Sequence, residues 1–204
     1  MIKFIEKHCI LKVKLMNNEI NTTKKKLADA LKLLMSERAF EKITIQDIVD
    51  MCGMNRRTFY YHFKDIYELL DWFYHEEALE QLEINSTYES WHNELLYLFH
   101  YLEVNKKITI CVFKSLGRGY LEDFVYKSVF RVVKNIVYDM AADLEVKEAQ
   151  KDFTAHYYSV SLVGVLTHWI QADFTPSPEE ITDMTKVILK GTMRDALERF
   201  SQKS

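Results

Sequence analysis

Asn55-Arg56-Arg57-Thr58-Phe59-Tyr60-Tyr61-His62-Phe63-Lys64 reads as one short helix with two unlike faces. Asn55 can cap its start, and Phe59 and Phe63, one turn apart, fall on the side that can anchor it to a core. The other positions carry Arg56, Arg57, Thr58, Tyr60, Tyr61, His62 and Lys64, nearly all hydrogen-bond donors and none acidic. A helix that is merely solvated normally mixes in Glu or Asp. Donors alone suit nucleic acid: Arg can bridge guanine O6 and N7, while Tyr, Thr, His and Lys reach phosphate oxygens.

Outward from this stretch the local signals stay helical. Upstream, Thr44 and Asp47 form a T-x-x-D capping signal, Ile45, Ile48, Val49 and Cys52 form an inner stripe, and Gly53 supplies a tight turn. Before that, a helix is predicted from about Thr23 to Arg38, capped by Thr22 or Thr23, with Leu27, Ala30, Leu31 and Leu34 on one face. Lys24, Lys25 and Lys26 crowd its first turn, where the helix dipole disfavours cations, a cost that a nearby polyanion would offset. Downstream, Asp65 and Glu68 make a D-x-x-E box ahead of a helix over Ile66–Leu82. Short capped helices with the middle pair joined by a glycine turn form a helix-turn-helix.

Past residue 84 the helices lengthen. The pattern predicts Tyr88–Val104, Lys107–Leu116, Arg118–Leu144, Lys147–Ala172 and Glu179–Phe200, with a break at Asp173–Pro178. Ser177, Pro178 and Glu180 then occupy the cap, first and third positions of a new helix. With only 5 Gly and 2 Pro, the expectation is an all-α chain of about nine helices. Its expected parts are an extension over residues 1–20, a helix-turn-helix domain over 21–66 and a larger helical regulatory and dimerisation domain over 67–204. Within the extension, residues 1–15 read as peripheral, and translation from Met16 is expected to leave folding and DNA binding intact.

Charge follows the same division. Residues 1–64 carry 13 Lys/Arg against 7 Asp/Glu, a net +6, whereas residues 65–204 carry 14 against 23, a net −9. A basic third on an acidic body fits one phosphate-facing surface. The three cysteines (Cys9, Cys52, Cys111) lack zinc or disulfide spacing and read as reduced thiols of a cytoplasmic protein. None of the pairs among His8, His62, His75, His92, His100, His156 and His168 has metal-ligand spacing, so no metal or cofactor is expected. No stretch approaches the roughly 18 apolar residues of a membrane helix. Phosphate loops, nucleophile elbows and dinucleotide fingerprints are all missing, which argues against an enzyme.

Leu27–Leu70, LADALKLLMSERAFEKITIQDIVDMCGMNRRTFYYHFKDIYELL, resembles the DNA-binding domain of the tetracycline-repressor (TetR/AcrR) family. The family pattern is matched at Thr44, at Ile48–Gly53 and at Thr58–Leu69. The resemblance implies a homodimer whose first three helices bind double-stranded operator DNA and whose larger domain binds a ligand. It assigns Thr44 to a phosphate and Gln46 toward a base, Arg56 and Arg57 to the base-reading helix start, and Tyr60 to a mid-helix DNA contact. Tyr61, His62 and Lys64 match backbone-clamping positions, and Asn55 and Thr58 complete the expected interface. Two departures stand out: Ala39 replaces a common glycine, and Ile66 replaces a common phosphate-contacting Lys.

For the body, Trp72, Trp91, Phe99, Phe113, Tyr120, Phe130 and Tyr157 are candidates to line a pocket between helices. Small Ser161 and Gly164, with Val160, Val163 and Trp169 nearby and Ile188 and Leu197 from the last helix, resemble the family's helix-bundle dimer interface. The ending GVLTHWIQADFTPSPEEI resembles the dihydroxyacetone-kinase-type regulators, a subgroup whose control can pass through a partner protein. The effector is therefore expected to be a small molecule or a protein, and the alternative function is a protein-interaction adaptor on the same fold.

Overall fold

The computed structural model describes residues 21–79 and 90–202, with backbone alone at 117, 118 and 120–122. The expected extension over residues 1–20 lies outside the described residues. Every regular element among the described residues is helical, as the composition and periodicity predict. Two compact units form, divided after Tyr74.

In the first unit, α1 spans residues 21–37, α2 Ile45–Met51, α3 Arg56–His62 and α4 Ile66–Tyr74. The predicted stripe of α1 is buried throughout: Leu27, Ala30, Leu31 and Leu34 are at most 5% exposed. Ile48 and Val49 of α2, Phe59 of α3, Phe63, and Leu69, Leu70 and Phe73 of α4 are likewise buried. Burying each large apolar side chain contributes about 1.5–3 kcal/mol, so these few residues carry most of a small unit's stability. Ala39 makes its turn without glycine by taking extended backbone (φ −62°, ψ 142°), followed by a single 3-10 turn Phe40–Lys42 that buries Phe40. The ring of Phe40 lies 5.6 Å from that of Tyr67, and Phe63 lies 5.9 Å from Trp72, so α4 packs on the first unit. The first compact unit therefore takes in all of α4, to Tyr74.

The second unit opens with a π-helical turn, His75–Leu79, followed by α5 (Trp91–Val104), α6 (Lys106–Met140), α7 (Glu148–Gln171), α8 (Pro178–Leu189) and α9 (Thr192–Ser201). The longest contact runs between α6 and α7, with α5 against α8 and α9 against α7. Val133, Ile136, Val137 and Met140 of α6 share one core with Ala155 and Tyr158 of α7 and Met193 and Leu197 of α9.

Two helix boundaries differ from expectation. Lys106–Met140 is one helix of 35 residues, where a break was expected between Leu116 and Arg118. A glycine inside a helix costs only about 1 kcal/mol, and the packing of α6 along α7 outweighs that. Conversely, the expected single helix Glu179–Phe200 is two, because Gly191 takes left-handed backbone (φ 79°) and starts α9 afresh. The predicted break at Asp173–Pro178 is present, and Ser177 and Glu180 form the expected capping box. There Asp173 and Phe174 both have positive φ (58° and 64°). The Trp169 ring, fully buried, holds this turn: it lies 4.8 Å from both Phe99 and Phe174, and its N–H donates to the Pro176 carbonyl at 2.6 Å.

Candidate nucleic-acid interface

The α2–turn–α3 segment is built by four local devices. Thr44 Oγ1 accepts from the Asp47 N–H at 3.2 Å while the Asp47 carboxylate accepts from the Thr44 N–H at 2.8 Å, closing a reciprocal cap on α2. The Thr44 hydroxyl, donating to the same carboxylate at 2.6 Å, and the Thr44 N–H hold the Asp47 carboxyl below its ordinary pKa, helped by Arg38 at 3.5 Å. At the other end Gly53 takes φ 64°, its N–H donating to Asp50 O and that of Met54 to Val49 O, a Schellman closure that favours glycine. Asn55 Oδ1 then accepts from the Thr58 N–H at 2.9 Å to start α3. Finally Phe59 and Phe63, with ring centroids 6.0 Å apart, are buried beneath it.

With those two rings underneath, the outer surface of α3 is fixed. Arg56, Arg57, Tyr60, Tyr61 and Lys64 are exposed, as are Thr44, Gln46 and Asn55, whereas Thr58 and His62 are half-buried. Among the described residues, neither Arg56, Arg57 nor Lys64 is paired with a carboxylate. Arg56 instead donates to the Tyr60 hydroxyl at 3.3 Å, one turn along. This leaves cationic donors uncommitted on a rigid ridge, the arrangement that binds phosphates and base edges.

Two features escaped the sequence reading. Lys24, at the start of α1, stands 5.4 Å from the centre of the Phe63 ring and 5.8 Å from that of Trp72. Ring faces thus offset part of the charge crowding that had pointed to a polyanion. Lys24 and partial burial together push the His62 imidazole below its ordinary pKa, burial being the larger cause. The second feature is Asp50, whose carboxylate accepts from the Gln46 amide at 2.7 Å; the i, i+4 spacing was the available signal.

The candidates in the second unit scatter. A cavity of about 260 Å3 lies among α5, α6, α7, α8 and α9, and Trp91 lines it. Phe99 is buried against Trp169, Phe113 is half-buried, and Phe130 stacks on Tyr126 at 5.5 Å. Tyr157 is exposed, Trp72 belongs to the first unit, and the side chain of Tyr120 lies outside the described residues. Leucine and valine at helical spacing make the cavity walls, and they carry no sequence signal beyond that of an ordinary core. Of the candidate dimer residues, Val160, Ser161 and Ile188 are exposed and Gly164 is half-buried. Val163, Trp169 and Leu197 are at most 5% exposed, inside the protomer's own core.

Comparison with known proteins agrees with this architecture. Residues 27–71 match the family of bacterial regulatory proteins, tetR family, and residues 89–191 match the transcriptional regulator C-terminal region. The HTH-type dhaKLM operon transcriptional activator DhaS of Lactococcus lactis is 28% identical over 145 residues, covering 70% of this chain and 76% of the relative. A solved structure of dihydroxyacetone kinase operon activator DhaS superposes with a TM-score of 0.65 at 24% identity, over 88% of this chain and 98% of that one, which establishes the likeness of fold. Both the family resemblance and the dihydroxyacetone-kinase-type subgroup resemblance are met by these matches. The chain belongs to the TetR family of bacterial transcriptional regulators.

Proposed function

We propose that this regulator works as a homodimer on a two-fold symmetric operator, with α3 of each chain in a major groove. The observation that carries the reading is the uncommitted charge of Arg56, Arg57 and Lys64 on a helix pinned from below by Phe59 and Phe63. Arg56 and Arg57 read base edges; Thr44, Tyr61, His62 and Lys64 hold the phosphate backbone; Gln46 and Tyr60 add contacts at the groove.

Dimerisation is supported by apolar side chains left in solvent. Phe153, Tyr157 and Val160 on α7 recur at one helix face and are 50–60% exposed, and Met184, Val187 and Ile188 on α8 are 50–76% exposed. Exposed apolar side chains recurring on one helix face mark an interaction site. A Cβ built at Gly164 meets nothing within 4 Å, so the small residue leaves room for a second copy. The effector, a small molecule or a partner protein, acts on the C-terminal unit, and the name of the Lactococcus relative favours activation over repression. The setting is the cytoplasm.

Selection of bound sequences from a random duplex library, with sedimentation of the complex, tests this reading. A palindromic site carrying two chains is expected. No enriched sequence, or one chain on an asymmetric site, would contradict it.

A further inference from the structure

The cavity of the second unit combines a hydrocarbon interior with a cationic lip. Leu95 and Leu98 of α5, Val129, Val133 and Ile136 of α6 and Leu162 of α7 face it, and no carboxylate lines it. An apolar cavity of about 150 Å3 accepts a benzene-sized guest, so one of about 260 Å3 has room for a longer hydrocarbon group. Lys186 on α8 and Lys190, four residues on at its C-cap, also line it while remaining exposed. Among the described residues, neither ammonium group has a hydrogen-bond or ion-pair partner. His92 of α5 is the remaining ionisable lining group.

Lysines of this kind lay their stems on apolar surface and keep their heads in water. An anionic head group meeting them would stay at the solvent edge, avoiding the cost of burying a charge, while its tail gains the hydrophobic contribution of the walls. A cationic guest would be repelled, and a neutral one would leave the lysines unused. We infer that this cavity binds a single-headed amphiphilic carboxylate, with an acyl or arylalkyl chain among the leucines and valines and the carboxylate at Lys186 and Lys190. That such binding changes DNA affinity rests on the proposed control through the C-terminal unit; the binding itself rests on the cavity.

Isothermal titration with decanoate, decan-1-ol and decyltrimethylammonium, each below its micelle concentration, tests the inference. One decanoate per chain is expected, about tenfold or more tighter than the alcohol, the advantage of charge-assisted contacts. Its binding should also raise the thermal midpoint. The double variant Lys186→Ala, Lys190→Ala should lose that advantage while binding decan-1-ol as before; being at exposed positions, it should fold as the parent does. Leu162→Trp, which fills the cavity, should abolish both. No saturable decanoate binding, equal affinity for acid and alcohol, or a lysine double variant that binds decanoate unchanged would overturn the inference. Operator affinity measured alongside separates the two claims. A protein that binds operator but no carboxylate loses only the ligand assignment, and one that binds decanoate with operator affinity unmoved keeps the site and loses control by it.

Discussion

The Gln46 amide donates to the Asp50 carboxylate at 2.7 Å, one turn along α2. The bond occupies one of the two amide N–H donors and holds the amide along the helix, leaving the other N–H and the carbonyl oxygen open. An acceptor presented to the major groove pairs with cytosine N4 or adenine N6. Asp50→Ala releases the amide to turn, so that in the proposed interface Gln46 can bond adenine through both N6 and N7, and it removes a negative charge from that surface. The expected outcome is tighter binding to all DNA and a shift of about 1–2 kcal/mol toward adenine at one position per half-site. Anisotropy titrations on the four base variants check it; an unchanged preference would place Gln46 away from the bases.

Arg56 and Lys64 should separate by kind of effect. Arg56→Ala is expected to cost about 1–3 kcal/mol on the cognate site and to relax preference at one base. Lys64→Ala should weaken cognate and random duplexes alike and reduce the salt slope by about 1. Titrations at several salt concentrations distinguish them.

Thr44→Ala removes the hydroxyl half of the reciprocal cap of α2 and should destabilise the protein by about 1 kcal/mol in urea unfolding. It also removes the hydroxyl bond that is the largest cause depressing the Asp47 pKa. A carboxyl with a depressed folded pKa stabilises the native state above its ordinary value of 3.8 and loses that contribution as pH falls through the folded value. Parent and variant stabilities should therefore converge in acid, in the range below pH 3.8.

His62 should give the proposed interface a pH dependence. Its imidazole titrates below 6.5 in the free protein, through burial and Lys24. A phosphate nearby raises the pKa, so the complex takes up a proton and operator affinity rises as pH falls through that window. His62→Ala should flatten the dependence between pH 7.5 and the free-state pKa. A rise in affinity with increasing pH would have the wrong sign.

Gly164→Glu, at a half-buried position of α7 where an added Cβ meets nothing within 4 Å, and Ile188→Lys, on the exposed surface of α8, each introduce charge. Both should sediment as folded monomers and bind operator weakly. A tight-binding dimer from either variant would move the interface elsewhere.

What could be read from sequence was what nearby residues decide. The Thr44–Asp47 box, the Gly53 turn, the Asn55 cap and the Phe59–Phe63 pair each span five residues or fewer, and all are present as predicted. The long α6 was hidden because glycine punctuation suggested a stop, whereas packing along α7 decides its length. Gly191 was legible as a helix breaker and was passed over. The cavity was hidden for a further reason. Its walls converge from five helices and are mostly leucine and valine, whereas the aromatic candidate Phe99 packs in the core against Trp169.

The most direct test of the central claim, that α3 reads the major groove, is to replace single purines of the selected operator with 7-deaza analogues. Each replacement removes one major-groove acceptor and leaves the phosphates and minor groove intact. Symmetric positions in the two half-sites should weaken wild-type binding about tenfold, and Arg56→Ala or Arg57→Ala should abolish that sensitivity. Operator binding indifferent to every replacement, or sensitivity unchanged in both arginine variants, would contradict the account.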